Sequence, residues 1–273
     1  MGAAPLVANA RMYAVTPAAR ALWRRLFEWT ADKAGIRLAY VDHAAPASLE
    51  ELWSRDDLGL VFMCGYPFAR ARPRLQPVAA PVPADPRCRG QAVYWTDLVV
   101  AAGGPHRSLS DAFGGRIGWT VEHSQSGFNA VRRHLLRYRV GREGPLFRES
   151  VGPLVTPRRV VESVLAGAID VGPLDSYVHA LLTRFEPETA ARLRTVESTD
   201  PTPMPLLVAS PNTDSAAVER LRRALLAASA DEAIATVLDD LALAGFAAPE
   251  PADYAVLLDQ AAEAEAAGYP VPA

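Results

Sequence analysis

Apolar positions in the first quarter of the chain alternate between short unbroken runs and a helical period, which predicts a β-α-β-α-β order. Ala10 to Val15 reads as a strand. Pro17 to Ala34 reads as a helix, with Thr16 as cap, Pro17 at its first position, Leu22, Leu26, Phe27 and Trp29 apolar, and Gly35 at its end. Arg37 to Val41 is a second strand and Leu49 to Ser54 a short helix. Leu58 to Met63 is a third strand, running into Cys64-Gly65-Tyr66-Pro67-Phe68. Such an order builds a parallel sheet with helices on its faces, and ligands of such sheets gather at the carboxyl ends of strands.

Residues 70–90, rich in proline and arginine, interrupt the alternation. Gln91 to Ala101 resumes it as a strand carrying Tyr94, Trp95, Thr96 and Asp97, and Pro105 to Phe113 is a turn and short helix. Next comes the stretch that organises the chain: Ile117 to Val121 as a buried strand, a polar turn His123-Ser124-Gln125-Ser126-Gly127, and a helix bearing Phe128, Val131 and Leu135. Ser124 or Ser126 can cap that helix, and Gly127 lets a guest approach the backbone. A helix start of this kind suits an anion; it also reads as an ordinary capped helix. Beyond it lie a strand at Phe147 to Val151, a helix from Thr156-Pro157 through Leu165, a strand at Ala168 to Val171, and a helix reaching Phe185. Leu193 to Glu197 and Leu206 to Ala209 are strands, separated by a polar crossing over 198–205. From there the pattern is helical: Ser215 to Ala228, Asp231 to Leu243 and Ala252 to Ala266.

Composition narrows the function. The net charge of −3 comes from 28 basic and 31 acidic residues with both signs interspersed, so no basic stripe points to nucleic acid or a membrane surface. No apolar run reaches the length of a membrane span, and Met1 to Ala10 lacks the pattern of a signal peptide, so a soluble chain is expected. Cys64 and Cys88 show no zinc spacing, and Cys64, at the end of an apolar run, reads as a buried thiol. There is no Gly-x-Ser-x-Gly elbow, P-loop or Gly-x-Gly-x-x-Gly after a strand, so no enzyme and no cofactor are expected.

Cys64-Gly65-Tyr66-Pro67, Tyr94 to Val100, Ser124-Gln125-Ser126-Gly127, and Gly167-x-x-Asp170-x-x-x-x-Asp175 occur in an ordered set. With them the chain resembles the phosphate/phosphite/phosphonate-type solute-binding proteins of ABC importers, over most of residues 10–269 and including Gly245-Phe246 and Gly268-Tyr269-Pro270. The resemblance implies an α/β, two-lobed type 2 periplasmic-binding (Venus flytrap) fold with parallel-dominated sheets flanked by helices. Lobe 1 would be 1–95 with 204–273 and lobe 2 would be 96–203, with a ligand cleft between them. It implies a small anionic ligand held by Tyr66, Tyr94, Thr96, Ser124, Ser126, Gly127 and Asp175. The partners would be that ligand and an ABC permease, with the chain a monomer and periplasmic. A start at Met1 without a signal peptide would instead suit a cytoplasmic sensor of the same fold, and the fold also hosts enzymes that act on small metabolites.

Two positions depart from the family pattern. His123 stands where aspartate is common, as a turn residue or a ligand contact, and Gly152-Pro153-Leu154-Val155-Thr156 replaces Ser-Gly-Ser-His. Asp175 has a second reading as a helix cap, Asp170 reads as structural, and Arg158-Arg159 read as solvated.

Overall fold

The computed structural model describes residues 4–273; Met1, Gly2 and Ala3, which open the N-terminal stretch and the expected first lobe, lie outside the described residues. The first strand is Leu6–Asn9, so the expected strand at Ala10 to Val15 is instead a turn leading into the first helix. That helix, Pro17–Ala34, begins as its sequence dictates: Thr16 accepts the Ala19 N–H at 3.1 Å, and Gly35 ends it at φ 60°. Trp23 and Tyr13 are both fully buried and meet the Phe62 ring edge-on, each at 4.9 Å.

The chain divides into two compact units, the first formed by Met1–Val93 with Pro203–Tyr254 and the second by Tyr94–Thr202 with Ala255–Ala273. In the first, Leu6–Asn9 pairs in parallel with both Leu38–Tyr40 and Leu58–Met63, as the β-α-β-α-β order requires. The sheet is nevertheless mixed, because Leu206–Ala209 lies antiparallel between Leu58–Met63 and Gln76–Pro83. Leu243–Ala247 completes the 6-stranded sheet at one edge. Two of these strands depart from the sequence expectation. Gln76–Pro83 falls in the stretch expected to break the pattern, and Leu243–Ala247 runs from the last residue of one expected helix into the gap before the next.

The second unit holds a 3-stranded antiparallel sheet of Leu193–Ser198, Thr96–Ala101 and Gly172–Asp175. Beside it Arg116–Gly118 pairs in parallel with Glu149–Val151, and Ile117 bridges to Val171. The expected strand at Ala168 to Val171 is therefore displaced to Gly172–Asp175. Leu98, Val100, Ile117, Val131, Leu135, Phe147 and Val171 share one core with Tyr269. The last helix, Ala255–Ala266, packs on Ala130–Arg139, so residues 255–273 fall with the second unit rather than with 204–254. Cys64 and Cys88 are buried thiols, not bonded to each other.

Candidate functional site

The polar turn of the second unit comes after a strand that ends at Gly118, short of the expected Val121. Ser124 is extended at φ −75° and caps the turn, its Oγ accepting the Gly127 N–H at 2.9 Å. Gln125–Asn129 then forms one π-helical turn that runs directly into the α-helix Ala130–Arg139. The wide turn is held from inside: Asn129 Nδ2 donates to the carbonyls of Glu122 at 3.3 Å and Ser124 at 3.2 Å. Arg132 in turn donates to Asn129 Oδ1 at 2.7 Å, so a guanidinium only 3 % exposed stands beneath the turn, 4.7 Å over the Phe128 ring. π-bulges at helix starts recur at functional sites, and the first N–H groups of a helix have no partner within it.

Gly127 is required here, for a reason different from the expected one. A Cβ added to it would lie 1.9 Å from Thr120 Oγ1, so the space is filled by the protein's own threonine. The Thr120 N–H donates to the Gly127 carbonyl at 3.2 Å. Thr120 is 5 % exposed, and its hydroxyl has no hydrogen-bond partner among the described residues. A buried hydroxyl left so is costly unless something else reaches it. The sequence pattern does not single out Thr120; its place two residues beyond the strand and just before the serines is the signal that would have found it.

Thr96 is fully enclosed and approaches the turn from behind, its Oγ1 donating to the Ser126 carbonyl at 2.9 Å while its N–H donates to Thr199 Oγ1 at 3.0 Å. Its register partner across the sheet is Asp175. The Asp175 carboxylate accepts the N–H groups of Tyr177 at 2.9 Å and Val178 at 3.1 Å, which makes it the cap of Ser176–Phe185. Burial pushes the Tyr177 phenol well above its ordinary 10, and the Asp175 charge adds to that. Thr96 thus backs the serine turn, while Asp175, beside it on the neighbouring strand, caps the helix that follows. Tyr94 is buried just before them.

Next to Thr96, Asp97 gathers three side chains, of which sequence reasoning left Ser198 and His179 aside. It accepts Trp95 Nε1 at 3.0 Å and Ser198 Oγ at 2.7 Å, and meets His179 Nδ1 at 2.8 Å. His123 and Ser126 are half-buried. Arg158 is not simply solvated, since it binds Glu186 with Nη1 at 2.7 Å of Oε2, and that guanidinium holds the Glu186 carboxyl below its ordinary value.

In the first unit, Tyr66 begins the short helix Gly65–Arg70 after the strand Leu58–Met63. Its ring is 5.4 Å from the Arg70 guanidinium, whose Nη1 reaches the Tyr66 hydroxyl at 3.5 Å. Arg70, exposed one turn beyond Tyr66, is a cation the sequence reading overlooked. Among the described residues no group of three or more His, Cys, Asp or Glu is placed to hold a metal ion, and no helix is long and apolar enough to cross a membrane.

Residues 14–254 match the family described as the periplasmic substrate-binding proteins of phosphonate ABC transporters. No curated protein matches the chain. Solved structures share its fold. A binding-protein component of an ABC phosphonate transporter from Pseudomonas aeruginosa superposes with a TM-score of 0.78 at 16% identity, covering 96% of this chain and 87% of that one. A Prochlorococcus marinus protein in complex with methylphosphonate gives 0.76 at 16% identity, with 95% and 98% covered. A Xanthomonas citri protein bound to ATP gives 0.65 at 20% identity, with 96% and 97% covered.

Proposed function

This chain belongs to the periplasmic phosphonate-binding family of ABC transporters, and we propose that its serine turn is where it holds the anion. The family is one of substrate-binding proteins that hand a small solute to a permease. Within it, the donors assigned to the ligand oxygens are the hydroxyls of Ser124 and Ser126, the first N–H groups of the π-turn, and the hydroxyl of Thr120. The Gly127 N–H, engaged by Ser124 Oγ, is not among them. Tyr66 is proposed as a ligand residue on its own ground, its place after a strand and the Arg70 cation beside it.

The observation that carries the reading is the buried, unpartnered Thr120 hydroxyl against a helix start. The helix dipole and the buried Arg132 both favour negative charge there. Neutral donors leave the ligand's charge to be balanced by that field, which suits a small phosphonate, phosphate or phosphite.

Calorimetry with methylphosphonate, inorganic phosphate and phosphite tests this. A hydrogen bond to a charged oxygen is worth roughly 1.5–3 kcal/mol, so Ser126→Ala should weaken binding about ten- to a hundred-fold. A ligand present at one hundred times its dissociation constant stabilises the wild type by about 2.7 kcal/mol, read as a thermal shift. Wild-type affinity in Ser126→Ala would remove the turn from the site.

A further inference from the structure

We propose that the chain associates with a second copy of itself. A groove on the first unit, between the helices Pro17–Ala34, Ser215–Leu226 and Glu232–Asp240, receives the exposed side of the last helix, Ala255–Ala266, from the other copy.

The groove holds about 640 Å³, room that a small oxyanion would not fill. Ala34, Ala224 and Ala227 give it a small apolar floor, and the half-buried Trp29 lines it as well. Arg220 and Arg223, both exposed, line it from one turn to the next of Ser215–Leu226. Neither guanidinium makes a hydrogen bond or ion pair among the described residues. The acids of the groove are already engaged. Asp231 binds Lys33 Nζ at 2.7 Å and accepts the Ala233 N–H at 2.9 Å. Glu232 stands in the first turn of its own helix, where a carboxylate meets the positive end of the dipole. Two arginines are therefore left without a counter-charge. Leu226 follows Arg223 by one turn and is 37 % exposed, so apolar surface continues past the groove.

The chemistry that fits this surface is a slender acidic helix with some apolar surface, and the chain has one. Ala255–Ala266 carries Asp259, Glu263 and Glu265 and no basic residue. Its buried side, with Leu257, Gln260, Ala261 and Ala264, belongs to the second unit. The helical period puts Val256, Asp259, Ala262, Glu263 and Ala266 together on the other side, and all are exposed. Asp259 makes no hydrogen bond or ion pair among the described residues. Glu263 accepts Arg133 Nε at 3.0 Å, which leaves lone pairs for a second donor. Asp259 and Glu263 are one turn apart, as Arg220 and Arg223 are, so two arginine–carboxylate pairs can form side by side. Ala262 and Ala266 let this helix lie close on a floor of alanines. Among the described residues four large hydrophobic side chains are left exposed, and two of them, Leu226 and Val256, lie on these two surfaces. Exposed ion pairs contribute little each, so the association is weak and salt-dependent, and a monomer is what the chain becomes on dilution. Because unlike patches meet, the contact is heterologous.

Sedimentation velocity across a range of protein concentrations tests this, at low salt and at about 1 M salt, where charges are screened within about 3 Å. The wild type should sediment faster as its concentration rises at low salt, and as a monomer at high salt. Arg220→Glu with Arg223→Glu should weaken the association about ten-fold or more, because like charges then face each other. Asp259→Lys with Glu263→Lys should do the same. Mixing the two double variants should restore it, since each groove then meets a helix of opposite charge. A wild type that stays monomeric at low salt, or an association unchanged by the arginine reversals, would overturn the proposal. A mixture that fails to associate would remove the last helix as the occupant. Calorimetry with inorganic phosphate on Arg220→Glu with Arg223→Glu should give wild-type affinity, so this proposal and the reading of the serine turn fail separately.

Discussion

At position 127 a methyl group has nowhere to go. The sequence suggests that the glycine leaves room for a guest, but its missing Cβ is the space taken by Thr120, at 1.9 Å from Oγ1 and 2.9 Å from Cβ. Gly127→Ala should therefore destabilise the unliganded protein by about 1–3 kcal/mol, the usual cost of overpacking. Thr120→Ala should recover part of the loss, because it removes the nearest atom. Urea unfolding of the two single variants and the double gives the coupling directly. Equal stability of Gly127→Ala and wild type would mean that the turn yields freely. Single residues were legible where one local rule decides their role. Thr16, Thr156 and Asp175 cap helices as their neighbours in sequence allow. The tie from Thr96 to Ser126 spans 30 positions, and the close approach of Thr120 to Gly127 depends on how strand and turn fold back on each other; no local rule reports either.

At the scale of elements, the helix Ala130–Arg139 carries a titratable group the function does not use. His134 is 2 % exposed and its Nε2 meets Glu197 Oε1 at 2.7 Å, while Nδ1 has no partner among the described residues. A neutral ring that donates from Nε2 fits this arrangement; a protonated one would aim a second N–H at nothing. Burial accordingly pushes its pKa below the ordinary 6.5, with Arg137 acting in the same direction and Glu197 against it. A depressed histidine pKa means that the unfolded chain takes up the proton first as pH falls. Stability should hold above 6.5 and decline as pH drops from there toward the lower folded value. His134→Gln, which can still donate to Glu197, should flatten that part of the profile in denaturant titrations from pH 8 to 5. An unchanged slope would place the titration elsewhere. Elements with a strong period or clear caps were legible, and those that break a compositional rule were not. Gln76–Pro83 contains Pro77, Pro81 and Pro83, which argue against a strand with neighbours on both sides, yet it has one on each. Its pairing with Leu206–Ala209 shifts register between Leu207 and Val208, and its pairing with Leu243–Ala247 shifts between Leu243 and Gly245, so the ladder is broken beside Pro77 and Pro83, while Pro81 stays in register opposite Phe246.

At the scale of the whole molecule, the passages between units near 93–94 and 202–203 could be read from the chain, whereas the third, after Tyr254, could not. An apolar period says that a helix will bury one side; it does not say against what. Ala255–Ala266 buries Leu257, Ala261 and Ala264 in the second unit, and the polar contacts made by the C-terminal segment explain why it is needed there. Gln260 Oε1 accepts Nε2 of the fully buried Gln125 at 2.8 Å, and the carbonyls of Tyr269 and Pro270 each accept Arg132 Nη1 at 3.3 Å. Ending the chain at Tyr254 would remove these acceptors together with the cover of the last helix, and each lost hydrogen bond is worth about 0.5–1.5 kcal/mol, more for the charged one. The loss would fall on the serine turn, since Gln125 lies within it and Arg132 steadies it through Asn129. Amide exchange should therefore accelerate strongly over 125–139 in the truncated chain, while protection in Leu58–Met63 of the first unit is kept, and anion binding should be lost together with the turn's protection. Protection over 125–139 equal to that of the full chain would show that the last helix only covers the second unit and does not hold its binding turn in place.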